Sequence, residues 1–130
     1  NISSRQANFE RQCKFFDNHP DYFSNPQETR ECNTAWLAFP ILIKEGAPFT
    51  RKEFQIFLEK RNIQTRVVFT GNILRQPMCQ NISKKVLEEG YPNADRVMAK
   101  GVLLPLHHGM TETMFIRLHA TIDEFIGQYE

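Results

Sequence analysis

The sequence lacks most of the short motifs that mark cofactor sites and nucleophiles. It contains neither G-x-G-x-x-G nor a P-loop pattern, and it has no G-x-S-x-G nucleophile elbow. Its three cysteines are widely spaced and include no C-x-x-C pair, so neither a disulfide framework nor a zinc site is predicted, and a reducing, cytoplasmic setting is expected. No complete active site is visible in the chain.

Long apolar runs and an excess of one charge are also missing. No apolar segment approaches the roughly 18 residues that a membrane span needs, so no membrane partner is expected. Lys and Arg number 16 against 15 Asp and Glu, a formal net charge of +1, which argues against a nucleic-acid partner. With 41% apolar and 24% charged residues in 130 positions, the composition predicts one ordinary globular domain.

What the chain does contain is an alternation of helical and strand patterns. Apolar spacing and end signals predict helices over Ser4–Phe16, Thr50–Arg61, Ala94–Lys100 and from Thr111 onward. Strands are predicted over Ala35–Ile43, from Thr65 and over Val102–Leu106. This order predicts an α+β domain of about three strands with helices packed on one face of the sheet.

Several local signals refine this prediction. Thr50 and Glu53 match a capping box at the start of a helix. Pro40 cannot donate to a strand ladder, so its strand should lie at an edge or carry a bulge there. The segment 18–33 is predicted to be a loop, whereas Lys84–Glu89 is predicted to form a helical turn or two inside a long aperiodic region.

The stretch from Thr65 to Pro77 carries the most suggestive polar residues. A β-branched run ends at Gly71 and Asn72, and Arg66 and Arg75 flank the break. Guanidinium groups near a strand end suit bidentate binding of phosphate or carboxylate. The alternative is an ordinary surface loop in which Arg66 pairs with a glutamate of the preceding helix, and the sequence leaves both readings open.

His107 and His108 are the other candidates for site chemistry. Neighbouring residues of an extended chain point in opposite directions, and no carboxylate or cysteine stands at ligand spacing, so a metal site is not predicted. A packing or ligand-facing role for one of the two histidines is expected.

Several segments recur together, in this order, in one enzyme family: WLAFP (36–40), RNIQTR (61–66), FTGNILRQP (69–77), NADRVM (93–98) and LPLHHGMT (104–111). The chain resembles the C-terminal domain of the DegT/DnrJ/EryC1/StrS sugar aminotransferases. Within that family, FTGNILRQP is most similar to the nucleotide-linked 4-keto-6-deoxyhexose 3-dehydrases of deoxysugar and lipopolysaccharide synthesis.

The resemblance implies the small C-terminal domain of a fold type I pyridoxal-phosphate enzyme. Residues 1–130 would then be one domain of a larger two-domain protein, which binds pyridoxal or pyridoxamine phosphate and acts on a nucleotide-linked keto sugar. A homodimer and, for a dehydrase, a reductase partner are implied as well. The Schiff-base lysine, or the histidine that replaces it in 3-dehydrases, would lie outside this chain. The chain alone is therefore expected to bind no cofactor and to hold no catalytic residue.

In the framework of this resemblance, the small domain contributes substrate contacts rather than the reaction centre. The predicted substrate-binding residues are Arg66, Phe69, Asn72, Arg75 and, second in order, His107. An aminotransferase is the alternative activity. A stand-alone binding module, working through the loop around Gln80–Gly90, is the alternative of a different class.

Overall fold

The computed structural model describes all residues from 1 to 130. Its helices and strands, in chain order, are α1 (Ile2–Phe16), β1 (Phe23–Ser24), β2 (Phe39–Ile43), α2 (Arg51–Glu59), β3 (Arg66–Val67), α3 (Pro92–Lys100), β4 (Gly101–Leu104) and α4 (Glu112–Ile126). Two 3-10 turns, Ile73–Arg75 and Pro77–Cys79, follow β3. The predicted α+β class is confirmed. None of the helices combines the length and apolarity needed to cross a bilayer.

The sheet has four antiparallel strands in the order β1-β2-β4-β3, one more than predicted. The additional strand, β1, pairs Phe23 with Ile43 and Ser24 with Leu42. It lies in the segment 18–33 that was predicted to be a loop. Two residues are too few to show the alternation by which a strand is recognised in a sequence, so this strand depends on its pairing with β2.

Pro40 occupies a local edge within the sheet. Although β2 lies between β1 and β4, β1 reaches only Leu42 and Ile43. Pro40 stands opposite Leu103 of β4, at a level of the sheet that β1 does not reach. The missing N–H of proline is tolerated at such a position.

A core rich in aromatic residues covers one face of the sheet. Alternate residues of β2, namely Phe39, Ile41 and Ile43, are buried, as expected for a strand with one covered face. The 16-residue core adds, from the helices, Phe16 of α1, Phe54 and Leu58 of α2, and Leu118, Ile122, Phe125 and Ile126 of α4. Three helices therefore pack on this face, whereas α3 contributes no buried residue.

The predicted starts of α2 and α4 are confirmed by their caps, whereas α1 and α3 begin two residues earlier than predicted and have no side-chain cap. The Thr50 hydroxyl accepts from the Glu53 N–H at 3.2 Å, and the Glu53 carboxylate accepts from the Thr50 N–H at 2.7 Å, which completes the capping box. The Thr50 N–H and the Thr50 hydroxyl, which donates at 2.7 Å, both bind this carboxylate and lower the pKa of Glu53. The Thr111 hydroxyl accepts from the Met114 N–H at 3.3 Å.

Other boundaries differ from the predictions. β2 begins at Phe39 rather than Ala35, because Trp36 leaves the sheet and stacks on Phe9 of α1 at 4.3 Å. The predicted helical turns over Lys84–Glu89 are wrong, since no helix forms there. All residues from 81 to 89 are exposed, so no burial of an apolar face stabilises a helix in this segment.

Candidate functional site

The predicted site residues separate into two groups at the two ends of the β3–β4 ladder. Arg66 lies opposite Leu103, toward the end of β4 from which the chain continues to His107. After β3 the chain continues toward the opposite end of the ladder, where α3 leads into β4. The first group is therefore Arg66 and His107, and the second is Phe69, Asn72 and Arg75.

Asn72 has a structural role that the sequence did not reveal. Its side chain is buried, its amide nitrogen donates to Asp95 at 2.8 Å, and its amide oxygen accepts from the Leu74 N–H at 3.0 Å. Both ends of the amide are thus occupied within the chain. Contact between Asn72 and a substrate stays a prediction.

Arg75 forms a bidentate ion pair with Asp95 in the first turn of α3. Its Nε and Nη2 donate to the two carboxylate oxygens at 3.0 and 2.8 Å. Hydrogen bonds from Arg75 and then Asn72 hold the pKa of Asp95 at about 2, well below its usual range. The Arg75 side chain remains 64% exposed, so an incoming anion would have to share this guanidinium with Asp95.

Phe69 is exposed in a conformation that an aromatic residue rarely adopts. Its φ angle is +46°, and 81% of its surface is accessible. A left-handed conformation costs a non-glycine residue about 1 kcal/mol or more. No burial compensates for this cost within the chain, which points to a role for the ring outside the chain's own stability.

Gly71 fixes this segment against α3. Its φ angle is +64°, and a Cβ atom at this position would lie 2.3 Å from the Cβ of Met98. Only glycine permits both the conformation and the approach. The turn that displays Phe69 is therefore held close to the helix.

Arg66 is exposed and takes part in none of the five ion pairs of the chain. The predicted alternative, pairing with a glutamate of the preceding helix, is not what forms. The Glu59 carboxylate instead accepts from the N–H and hydroxyl of Thr65, at 2.6 and 2.9 Å. These bonds lower the pKa of Glu59, with a smaller contribution from the charge of Arg66.

His107 is positioned by its own turn and by α1. Its Nδ1 accepts from the Gly109 N–H at 3.1 Å, and its carbonyl accepts from the amide of Asn8 at 2.8 Å. Because Nδ1 is the acceptor, the proton of the neutral ring lies on Nε2, which is left as a donor. Asn8 carried no signal in the sequence, since 99 residues separate it from His107.

The chain places neither its lysines nor Cys13 in surroundings that activate them. None of its lysines is buried, whereas a Schiff-base lysine is activated by desolvation. Burial raises the pKa of the Cys13 thiol to about 11, so that thiol is protonated at neutral pH. No three His, Cys, Asp or Glu side chains lie close enough to hold a metal ion.

The model of the DegT/DnrJ/EryC1/StrS aminotransferase family matches residues 1–123. This chain belongs to that family. The match covers every helix and strand of the fold except the end of α4, and it confirms the resemblance seen in the sequence.

Among curated proteins, the lipopolysaccharide biosynthesis protein RfbH of Salmonella typhimurium is 29% identical over 126 residues, which are 97% of this chain and 29% of that protein. The GDP-4-keto-6-deoxy-D-mannose 3-dehydratase of Yersinia pseudotuberculosis is 35% identical over 74 residues, 57% of this chain and 18% of that protein. The chain thus spans less than a third of the length of these relatives.

Solved structures share the fold. The Escherichia coli GDP-4-keto-6-deoxy-D-mannose-3-dehydratase with bound hydrated PLP superposes with a TM-score of 0.78 at 25% identity, over 92% of this chain and 30% of that chain. A family aminotransferase from Brucella abortus gives a TM-score of 0.76 at 17% identity, over 96% of this chain and 31% of that chain. The second likeness is one of fold alone.

Proposed function

We propose that residues 1–130 are the small C-terminal domain of a longer enzyme that depends on pyridoxal or pyridoxamine phosphate. In this proposal the enzyme removes the C3 hydroxyl of a nucleotide-linked 4-keto-6-deoxy sugar in deoxysugar or lipopolysaccharide synthesis. The observation that carries the proposal is the family match over nearly the whole chain, combined with relatives named as 3-dehydratases of such sugars.

The cofactor would be held by the remainder of the enzyme, where it would act as an electron sink. The contribution of this chain is binding, orientation and exclusion of water. Arg66, free of any carboxylate partner, is suited to an anionic part of the substrate. Phe69 offers an exposed ring against which an apolar face of the sugar or base can lie.

The residues of the second group, Phe69, Asn72 and Arg75, have different proposed roles. Asn72 and Asp95 hold the turn that carries Phe69, and Arg75 presents the outer side of its guanidinium. Asn72 is chiefly a positioning residue, because its amide already hydrogen-bonds Asp95 and the Leu74 N–H. His107 supplies an Nε2 donor at the other end of the ladder.

A nucleotide-sugar aminotransferase is the second candidate. The family description names aminotransferases, and the Brucella abortus protein shows that this fold serves in one. The two activities share the substrate class and the proposed role of this chain, so the same residues could serve in either.

The experiment is an assay of the full-length protein with pyridoxamine phosphate, or with pyridoxal phosphate and an amino-acid donor, and a nucleotide-linked 4-keto-6-deoxy sugar. Mass spectrometry and proton NMR of the product distinguish the outcomes. Loss of the C3 oxygen is the expected result. Replacement of the 4-keto oxygen by an amino group would establish the aminotransferase instead. An unchanged sugar, together with tight binding of a protein partner by the loop 80–90, would favour a stand-alone binding module.

A further inference from the structure

The pocket beside His107 combines an apolar floor with unpaired hydrogen-bond donors. It has a volume of about 250 Å³ and is lined by Asn62, Ile63, Gln64, Pro105, His107, Met110, Met114, Arg117 and Leu118. We propose that this His107 pocket binds the phosphate group of a small organic phosphate ester, with the organic part on the apolar floor. The inference deepens the proposed function, on which it rests for the identity of the ester.

The charge of the lining favours an anion. Arg117 and His107 line the pocket, and no aspartate or glutamate does. The hollow around Arg75 is different, because Asp95 and Glu89 share its lining and Asp95 already pairs with Arg75. Of these two pockets, only the His107 pocket contains an arginine whose guanidinium has no carboxylate partner.

Arg117 is held in place by a backbone contact that leaves its charge uncompensated. Its Nη2 donates to the Arg61 carbonyl at 2.7 Å, and this is its only hydrogen bond within the chain. The three carboxylates of α4 have other partners, since Glu112 pairs with Arg11, Asp123 with His19 and Glu124 with Arg61. The remaining N–H groups of Arg117 are therefore available to phosphate oxygens, for which a planar fork of donors is well matched.

His107 adds a second oriented donor. The bond from the Gly109 N–H to Nδ1 fixes the neutral tautomer with its proton on Nε2. Asn8 anchors the His107 carbonyl from α1, so the ring is carried by a supported turn. A donor that is oriented before binding loses little entropy when a ligand arrives.

A second guanidinium lies beside the lining. With its oxygen turned toward Arg66, the Gln64 amide accepts from the Arg66 Nη2 at 2.8 Å. Gln64 itself lines the pocket, so the positive charge of Arg66 reinforces the field at its rim. The side chain of Asn62, whose backbone turns with a φ of +58°, makes no hydrogen bond within the chain and offers an amide at the same rim.

The apolar floor indicates that the phosphate carries an organic group. Ile63 and Leu118 are buried beneath the pocket, and the Met110 and Met114 side chains border it. A cavity of about 150 Å³ accommodates a benzene ring, so 250 Å³ leaves room for a six-membered ring. An inorganic ion alone would leave this apolar surface in water.

The test is an NMR titration of the 130-residue chain with glucose 1-phosphate, with glucose and inorganic phosphate as comparison ligands. Saturable shifts are expected at millimolar concentration, centred on the backbone amides of residues 62–64 and 107–118. Glucose should produce none, and inorganic phosphate should bind more weakly than the ester.

Two variants and one control make the result decisive. R117Q should weaken binding by about tenfold or more, since it removes a charge-assisted contact. M114W should fill the pocket and abolish binding. Because Met114 is half exposed, its replacement should not disturb the packing of the core. R96Q removes the same charge from an exposed arginine that makes no side-chain hydrogen bond, and it should bind like the parent chain.

Absence of saturable binding would overturn the inference. So would shifts spread over basic residues elsewhere, or binding unchanged in M114W, since each would indicate general attraction of anions. The titration requires no enzymatic activity. A failed dehydratase assay would therefore leave this inference standing, and a failed titration would leave the proposed reaction untouched.

Discussion

Two phenylalanines, Phe54 and Phe69, are used by this chain in opposite ways. Phe54 is fully buried in the core, with its ring 5.3 Å from that of Phe125. Phe69 is 81% exposed and has a left-handed backbone. The same side chain stabilises the fold in one region, whereas in the other it is displayed at a conformational cost. The segment after β3 is therefore shaped by something other than the stability of this chain.

The surroundings of the two residues extend this contrast. The core joins three helices to one face of the sheet, and strand β2 alternates buried and half-buried residues. From Phe69 to Tyr91, by contrast, the regular structure consists of two 3-10 turns, and large apolar side chains such as Met78 and Ile82 are exposed. Exposed apolar groups gathered in one segment are typical of surfaces that receive a ligand or another domain.

The largest expected effect belongs to the core. Phe54→Ala should lower the free energy of unfolding by about 3–5 kcal/mol, because a large cavity replaces a fully buried ring. Phe69→Ala, its matched control, should change it by less than about 0.5 kcal/mol. Denaturant unfolding of both variants measures the contrast. Equal losses would show that Phe69 packs as a core residue and would remove the distinction.

A second prediction concerns the turn that displays Phe69. Asn72→Ala should cost about 1–3 kcal/mol, since it removes a buried amide and leaves the Leu74 N–H and one interaction of Asp95 unsatisfied. Asn93→Ala is the control, because Asn93 is exposed and its side chain makes no hydrogen bond. If both variants unfold at the same denaturant concentration as the parent, the turn is not held by Asn72.

A third prediction concerns the pH dependence of stability and the half-buried ring of His119. Burial, with a smaller contribution from Arg11, lowers the pKa of His119 from 6.5 to about 4. Because the folded chain binds this proton less readily than the unfolded chain, the stabilisation is present above pH 6.5 and is lost as the pH falls toward 4. The half-buried position of the ring limits the loss to about 1–2 kcal/mol.

Urea unfolding at a series of pH values measures this loss. His119→Phe keeps a ring stacked on Phe15 but cannot be protonated, so it should flatten the profile between pH 6.5 and 4. His108→Gln, at an exposed histidine without side-chain hydrogen bonds, should leave the profile unchanged. A profile that is equally steep in the parent chain and in His119→Phe would assign the loss to another group.

The smallest expected effect is a gain in stability. Phe69→Gly relieves the left-handed strain, and part of that relief is offset by the greater freedom of glycine in the unfolded chain. The free energy of unfolding should rise by at most about 1 kcal/mol. Under the proposed function, the activity of the full-length protein should fall, because the exposed ring is lost. A clear loss of stability would indicate that the Phe69 ring makes contacts that stabilise this chain.

The sequence predicted those features that depend on neighbouring residues. Thr50 caps α2 through Glu53, three residues away, and Thr111 caps α4 in the same way. The role of Asn72 depends instead on Asp95, 23 residues away, and the support of His107 depends on Asn8 at a separation of 99. Such pairings have no local signature, because they form only when the sheet brings distant segments together.

The candidate site shows the same limit. The β-branched run in the sequence predicted a strand that includes Arg66. Only the structure shows that Arg66 lacks a carboxylate partner, because Glu59 accepts hydrogen bonds from Thr65 instead. Arg75 carried an equally good signal in the sequence, yet it pairs with Asp95. Residue type and spacing therefore could not separate a free arginine from a paired one.

Replacement of Arg66 by glutamine in the full-length protein probes the proposed substrate contact, with turnover of a nucleotide-linked 4-keto-6-deoxy sugar and thermal stability measured on the same samples. Because Arg66 is exposed and unpaired with any carboxylate, the melting temperature should stay within about 1 °C. Activity per folded molecule should fall by about tenfold or more. Unchanged activity in a folded variant would contradict the claim that this end of the ladder serves the substrate.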